Sequence, residues 1–149
     1  MRSFIDTNVL VYADSADAGD KRAQAAALIA EHLRAGSGVI STQVLHEFVN
    51  AGLRKLGLPL DLVRARVRLY GRFEVVNASV AAVHDALELL ALHQVSFWDA
   101  LILQAARASG CEQLLSEDLQ SGAVIAGVRI RNPFAAAPSV ANVRPPKRR

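Results

Sequence analysis

The chain of 149 residues has a single cysteine, Cys111. A lone cysteine excludes an intrachain disulfide and argues against a soft-ligand metal cluster. Its setting, Gly110-Cys111-Glu112-Gln113-Leu114-Leu115, suggests a small residue at the entrance to a strand. Long apolar runs are also missing: none approaches the roughly 18–20 residues a bilayer-spanning helix needs. At the N-terminus, Met1-Arg2-Ser3-Phe4-Ile5 meets the carboxylate of Asp6 too early for a signal-peptide core. These absences predict a cytoplasmic protein, and a free thiol suits a reducing compartment. No internal repeat is visible.

The body of the chain also lacks excess charge. The formal net charge is +3, from 17 basic and 14 acidic residues, but Arg144, Lys147, Arg148 and Arg149 all lie in the last six. Without those four, 13 basic residues face 14 acidic ones. The sequence pI of about 9.5 is therefore a property of the tail and does not describe a basic binding face. Such a tail can attract phosphates, but with Pro145-Pro146 in it the segment is expected to be poorly ordered.

What is present fits one globular domain. The residues are 52% hydrophobic and 21% charged, an ordinary balance for a packed core. A chain of this length buries about 68–70% of its unfolded surface without needing staples. Residues 1–134 read as the domain and 135–149 as the basic tail.

Phe4-Ile5 reads as a buried strand, Asp6-Thr7-Asn8 as a turn, and Val9-Leu10-Val11-Tyr12 as a further apolar stretch. An alanine-rich helix is predicted from Lys21 to Ala35, stopped by Gly36-Ser37-Gly38. Val39-Ile40 forms a short strand, and Ser41 or Thr42 caps a helix through Lys55. Gly57 and Pro59 lead to a helix over Leu60–Tyr70, where Arg64, Arg66 and Arg68 read as a solvated face. Phe73-Glu74-Val75-Val76 is a third strand, and Ser79 caps a helix to Leu92. Ser96 caps the next helix, Phe97 to Ser109, and Gly110 ends it. Gln113-Leu114-Leu115 is a fourth strand, Ser116-Glu117-Asp118 a turn, and Val128-Arg129-Ile130 a late edge strand. Strands alternating with helices predict an α/β domain, a three-layer α/β/α sandwich around a mostly parallel sheet.

Sheets of that kind place their sites at the carboxyl ends of strands. Four acids fall there: Asp6 after the first strand, Glu47 in the helix after the second, Asp99 in the first turn after Ser96, and Asp118 after the fourth strand. No short fixed spacing links them, so only the fold can gather them. Clustered carboxylates repel, and one takes up a proton unless a cation intervenes. A hard divalent ion resolves the conflict; Mg²⁺ takes one or two carboxylates, several waters and substrate phosphate oxygens. The chemistry expected is hydrolysis of a phosphate ester. An all-oxygen set disfavours zinc. Taken singly, Asp99 reads as part of a Ser96–Asp99 capping box and Asp6 as a turn residue. Their shared position lifts the set.

The segments Phe4-Ile5-Asp6-Thr7-Asn8-Val9-Leu10, His46-Glu47-Phe48, Ser96-Phe97-Trp98-Asp99-Ala100-Leu101-Ile102 and Leu115-Ser116-Glu117-Asp118-Leu119 together resemble the PIN-domain family, most closely its VapC-type toxin branch. The resemblance implies an α/β/α sandwich and Mg²⁺- or Mn²⁺-dependent cleavage of RNA. It also implies a homodimer and inhibition by a cognate antitoxin protein. It assigns metal binding and catalysis to Asp6, Glu47, Asp99 and Asp118; in-line attack by a metal-bound water would then leave 5′-phosphate and 3′-hydroxyl ends. Around them, Thr7, Asn8, Ser116 and Glu117 are expected to form a supporting polar shell, Asn8 chiefly by holding the turn. Trp98 is expected to pack beneath the site. His46 precedes Glu47, their side chains diverge by about 100 degrees of helix, and it is not expected to be a general base.

Two other classes remain. A phosphatase of the haloacid-dehalogenase type would carry a second aspartate two residues after the first, where this chain has Asn8. It would also need a lysine in the later half, where the only one is Lys147. A PIN scaffold that binds RNA or protein without cutting is the second alternative, and the complete acidic set argues against it.

Overall fold

The computed structural model describes residues 1–135. The expectation of a poorly ordered tail therefore lies outside the described residues, except for Ala135. Among the described residues six strands are interleaved with three pairs of helices: β1 (Ser3–Ile5), α1 (Thr7–Ala13), α2 (Asp20–Ala35), β2 (Gly38–Ser41), α3 (Thr42–Arg54) and α4 (Leu60–Tyr70). There follow β3 (Glu74–Val76), α5 (Val80–Leu92), α6 (Phe97–Ala108), β4 (Gln113–Leu115), β5 (Val124–Ile125) and β6 (Val128–Arg131). The sheet order is β3-β2-β1-β4-β6-β5, parallel except for the final β6–β5 pair.

The strands are short and apolar because helices cover them. Phe4, Ile5, Val39, Ile40, Leu114 and Leu115 are all fully buried. α6 packs against β2, β4 and β6 and carries α5 on its back, whereas α2 and α3 pack on β2 and meet α1. This is the predicted α/β/α sandwich. Among the described residues no single helix is long and apolar enough to cross a membrane.

Helix starts follow the local chemistry. Ser41, Ser79 and Ser96 each accept a hydrogen bond from the amide three residues on, as N-cap hydroxyls do. Two glycines have positional reasons. Gly36 closes α2 in the left-handed conformation, φ 66°, a C-terminal signal that Cβ disfavours. At Gly38 a Cβ would sit 2.5 Å from Phe73 Cε1, so only hydrogen fits where β2 passes the ring.

Several expectations need correction. Thr7 to Ala13 is a helix, not a turn with a further apolar stretch: Asp6 caps it by accepting from the Thr7 amide, and Val9 and Leu10 enter the core. Val128–Arg131 is not the edge; it lies between β4 and β5, and the short hairpin strand β5 takes the edge. Arg66 is no free surface charge. It grips Asp14, at the end of α1, through two hydrogen bonds of 2.8 Å and so ties α4 to α1.

Candidate metal and nuclease site

Register builds the site. Ile5 pairs with Leu115, so the residues that follow, Asp6 and Ser116, leave adjacent parallel strands side by side. The Asp6 amide still donates to the Leu115 carbonyl at 3.0 Å. The Asp6 carboxylate is 5% exposed and accepts from the Thr7 amide at 2.7 Å and from Ser116 Oγ at 2.7 Å. Ser116, itself fully buried, accepts in turn from the Asp118 amide at 3.1 Å. On the other side, Thr7 Oγ1 donates to Glu47 Oε1 at 2.5 Å, and Gln43 Nε2 donates to Oε2 at 3.3 Å. A continuous polar chain thus runs from Glu47 through Thr7, Asp6 and Ser116 to the Asp118 backbone.

The electrostatics match that arrangement. Burial pushes the Asp6 carboxyl up to about 6; the Ser116 and Thr7 hydrogen bonds oppose the shift, and the charges of Asp118 and Glu47 add to it. Asp99 is raised as well, first by partial burial and then by Asp118 and Glu47, while the Ser96 hydroxyl opposes. Glu47 and Asp118 thus act on both Asp6 and Asp99. Among the described residues none is ion-paired with a lysine or arginine.

The donor set is all oxygen and its negative charge is uncompensated, which fits a hard divalent cation. Among the described residues, however, no three acidic, histidine or cysteine side chains converge closely enough to hold an ion. Those two observations are compatible for Mg²⁺, which binds through one or two carboxylates and keeps its waters. Zinc, with its closed shell of protein ligands, fits poorly.

The supporting residues divide. Thr7 and Ser116 both bond to the acids, Thr7 to Asp6 and Glu47 and Ser116 to Asp6. Asn8 holds more than a turn: its Oδ1 accepts from the Glu117 amide at 3.4 Å, and its Nδ2 is buried without an acceptor among the described residues. Glu117 does not join the acids, because Tyr12 and Lys21 take its carboxylate toward α1 and α2. Trp98 is 61% exposed, with its ring against Phe97, so it is not the buried packing anchor expected. His46 is exposed and adjacent to Glu47. Sequence reading missed Gln43, Tyr12 and Lys21. Gln43 was findable, since it precedes Glu47 by four residues on one helix face; the other two carry no local signal.

A mostly parallel α/β sandwich in which a buried acid, Asp6, ends the first strand beside Ser116 at the end of the fourth sets the class. The chain belongs to the PIN-domain family, whose model matches residues 3–123. No curated protein matches its sequence. Solved structures share the fold. The VapC20 toxin of Mycobacterium tuberculosis, a sarcin–ricin loop cleaving toxin, is 22% identical with a TM-score of 0.60 over 78% of this chain and 91% of that one. A toxin–antitoxin complex from Klebsiella pneumoniae is 23% identical with a TM-score of 0.63, covering 90% and 99%. DNA-bound VapBC from Salmonella typhimurium is 18% identical with a TM-score of 0.65, covering 89% and 98%.

Proposed function

We propose that this protein is a metal-dependent endoribonuclease, the toxin of a toxin–antitoxin pair, in which Asp6, Glu47, Asp99 and Asp118 hold Mg²⁺ or Mn²⁺. The observation that carries the reading is the buried Asp6 carboxylate, under the charges of Glu47 and Asp118 with no basic partner among the described residues to offset them. The family membership and the toxin folds it resembles support the same reading.

A divalent ion at this edge would supply the acidity that activates water and the charge that offsets negative charge on a phosphodiester. The chain's own residues prepare its place. Ser116 and the Thr7 amide orient both Asp6 oxygens, so the carboxylate stays fixed and unscreened by solvent. Thr7 and Gln43 restrain Glu47, which as an exposed helix residue would otherwise lose rotamer freedom on engaging a ligand. Asp99, on the turn capped by Ser96, and the exposed Asp118 would supply the remaining acidic oxygens. In-line attack by water then leaves 5′-phosphate and 3′-hydroxyl ends and needs no ribose 2′-hydroxyl. The protein works in the cytoplasm as a homodimer, and a cognate antitoxin silences it by bringing a basic side chain to the acids.

The test is cleavage of a total-RNA pool by purified, antitoxin-free protein with Mg²⁺, with Mn²⁺, with EDTA, and by Asp99→Ala. Cuts that need the metal and fall at least about 100-fold in the variant are expected, the range seen when a group that stabilises the transition state is removed. Wild-type cleavage by Asp99→Ala would refute the site. Absence of cleavage with either metal would refute the nuclease and leave a binding scaffold.

A further inference from the structure

Two adjacent acids, Glu117 and Asp118, follow β4, and only the charge of Asp118 acts on Asp6 and Asp99. A box built from three distant segments separates them. The Tyr12 hydroxyl on α1 donates to Glu117 Oε1, and the Lys21 ammonium on α2 donates to Oε2. That ammonium stands 4.9 Å from the centroid of the Tyr12 ring and 5.9 Å from that of Phe134. The two rings meet edge to face at 5.1 Å. With the Glu117 amide donating to Asn8 Oδ1, both the backbone and the side chain of residue 117 are drawn toward α1.

Strand register already seats Ser116 beside Asp6, and the Asp118 amide donates to Ser116 Oγ at 3.1 Å, so a Glu117 drawn toward α1 and α2 leaves the Ser116–Asp118 turn on the acidic side. There the charge of Asp118 is felt at both Asp6 and Asp99. We infer that Lys21 is a positioning residue for the acidic site: it holds Glu117 between α1 and α2 and thereby keeps the Asp118 end of that turn against the other carboxylates. The inference rests on the metal-dependent reading of that cluster. Lys21 matters more than Tyr12 because it brings charge as well as a donor. Its cation offsets Glu117, so the loop presents one net negative charge to the site rather than two. Cation–π contact with two rings keeps the ammonium in place.

Lys21→Met keeps the apolar stem against the rings and removes the charge; Lys21→Arg restores it. In the metal-free full chain, amide hydrogen exchange at Glu117 and Asp118 is expected to rise about tenfold in Lys21→Met, with Leu114 and Leu115 in β4 unchanged. The dissociation constant for Mn²⁺, measured by calorimetry, should rise about tenfold, the range typical of residues that orient metal ligands. Lys21→Arg should return both readings to near wild type. If Lys21→Met does not fold, Tyr12→Phe removes one hydrogen bond to Glu117 and should move both readings the same way by less. Unchanged exchange at 117 and 118, or unchanged Mn²⁺ affinity despite faster exchange, would overturn the inference. Wild-type protein that binds no Mn²⁺ would overturn the metal reading of the cluster instead, and the exchange measurement would still judge what Lys21 does to the loop.

Discussion

Replacing Asp6 by asparagine should flatten the pH dependence of stability in the metal-free protein. Asp6 has a folded-state pKa of about 6 against an ordinary 3.8, with burial the leading cause. Well below pH 3.8 the carboxyl is protonated in both folded and unfolded chains, and it imposes no penalty. From about pH 4 to 6 the unfolded chain ionises while burial and neighbouring acids keep the folded carboxyl protonated, so the stability present at low pH is lost and levels off once pH passes the folded value. The shift is roughly two pH units, and at about 1.36 kcal/mol per unit the loss is about 3 kcal/mol. Asparagine keeps an oxygen to accept from the Thr7 amide but carries no charge. Urea unfolding in EDTA at pH 4, 5, 6 and 7.5 should therefore show Asp6→Asn gaining about 3 kcal/mol on wild type between the ends of the series. Saturating Mn²⁺ at pH 7.5 should stabilise wild type and leave the variant nearly unmoved, since only a state that binds the ion gains from it. Parallel wild-type and Asp6→Asn curves would refute the reasoning, because they would mean that burial does not penalise this charge.

Two further predictions concern the scaffold. Arg66→Met leaves the buried Asp14 carboxylate without its two-pronged partner. Because the arginine is a third exposed, the loss should be about 2 kcal/mol by urea unfolding. The double variant with Asp14→Asn should recover most of it, and a fully stable Arg66→Met would show that the pair contributes nothing. Gly38→Ala forces a methyl group against the Phe73 ring, which is buried and stacked 6.3 Å from the Tyr70 ring. It should cost about 2 kcal/mol. Combining it with Phe73→Leu should cost less than the two changes added together, and strict additivity would refute the close contact.

Much of the fold can be read in the chain because its signals are local. Pro59 and Gly71 bracket α4, and the hydroxyls of Ser41, Ser79 and Ser96 announce three helix starts that the structure reproduces. The first helix was not legible for an equally local reason. Asp6-Thr7-Asn8 is as good a turn as it is a cap, and a four-residue apolar run has no period to tell helix from strand. Packing of Val9 and Leu10 into the core decides between them. Nor does any local signal place β6 inside the sheet, since strand order depends on which partners come together across the chain.

The site divides in the same way. The proposal that Asp6, Glu47, Asp99 and Asp118 act together comes from acids placed at the ends of alternating elements, a pattern read from the sequence alone. Only the tertiary structure decided that Asp6 is the buried member, held between Thr7 and Ser116 where β1 and β4 end side by side. Only there is Glu117 distinguished from Asp118, by a lysine 96 residues away. Hydrophobic period, caps and turns act over a few residues and leave their mark in the sequence. A charge's environment depends on groups the fold brings to within a few ångströms, and that proximity exists only once the sheet has formed.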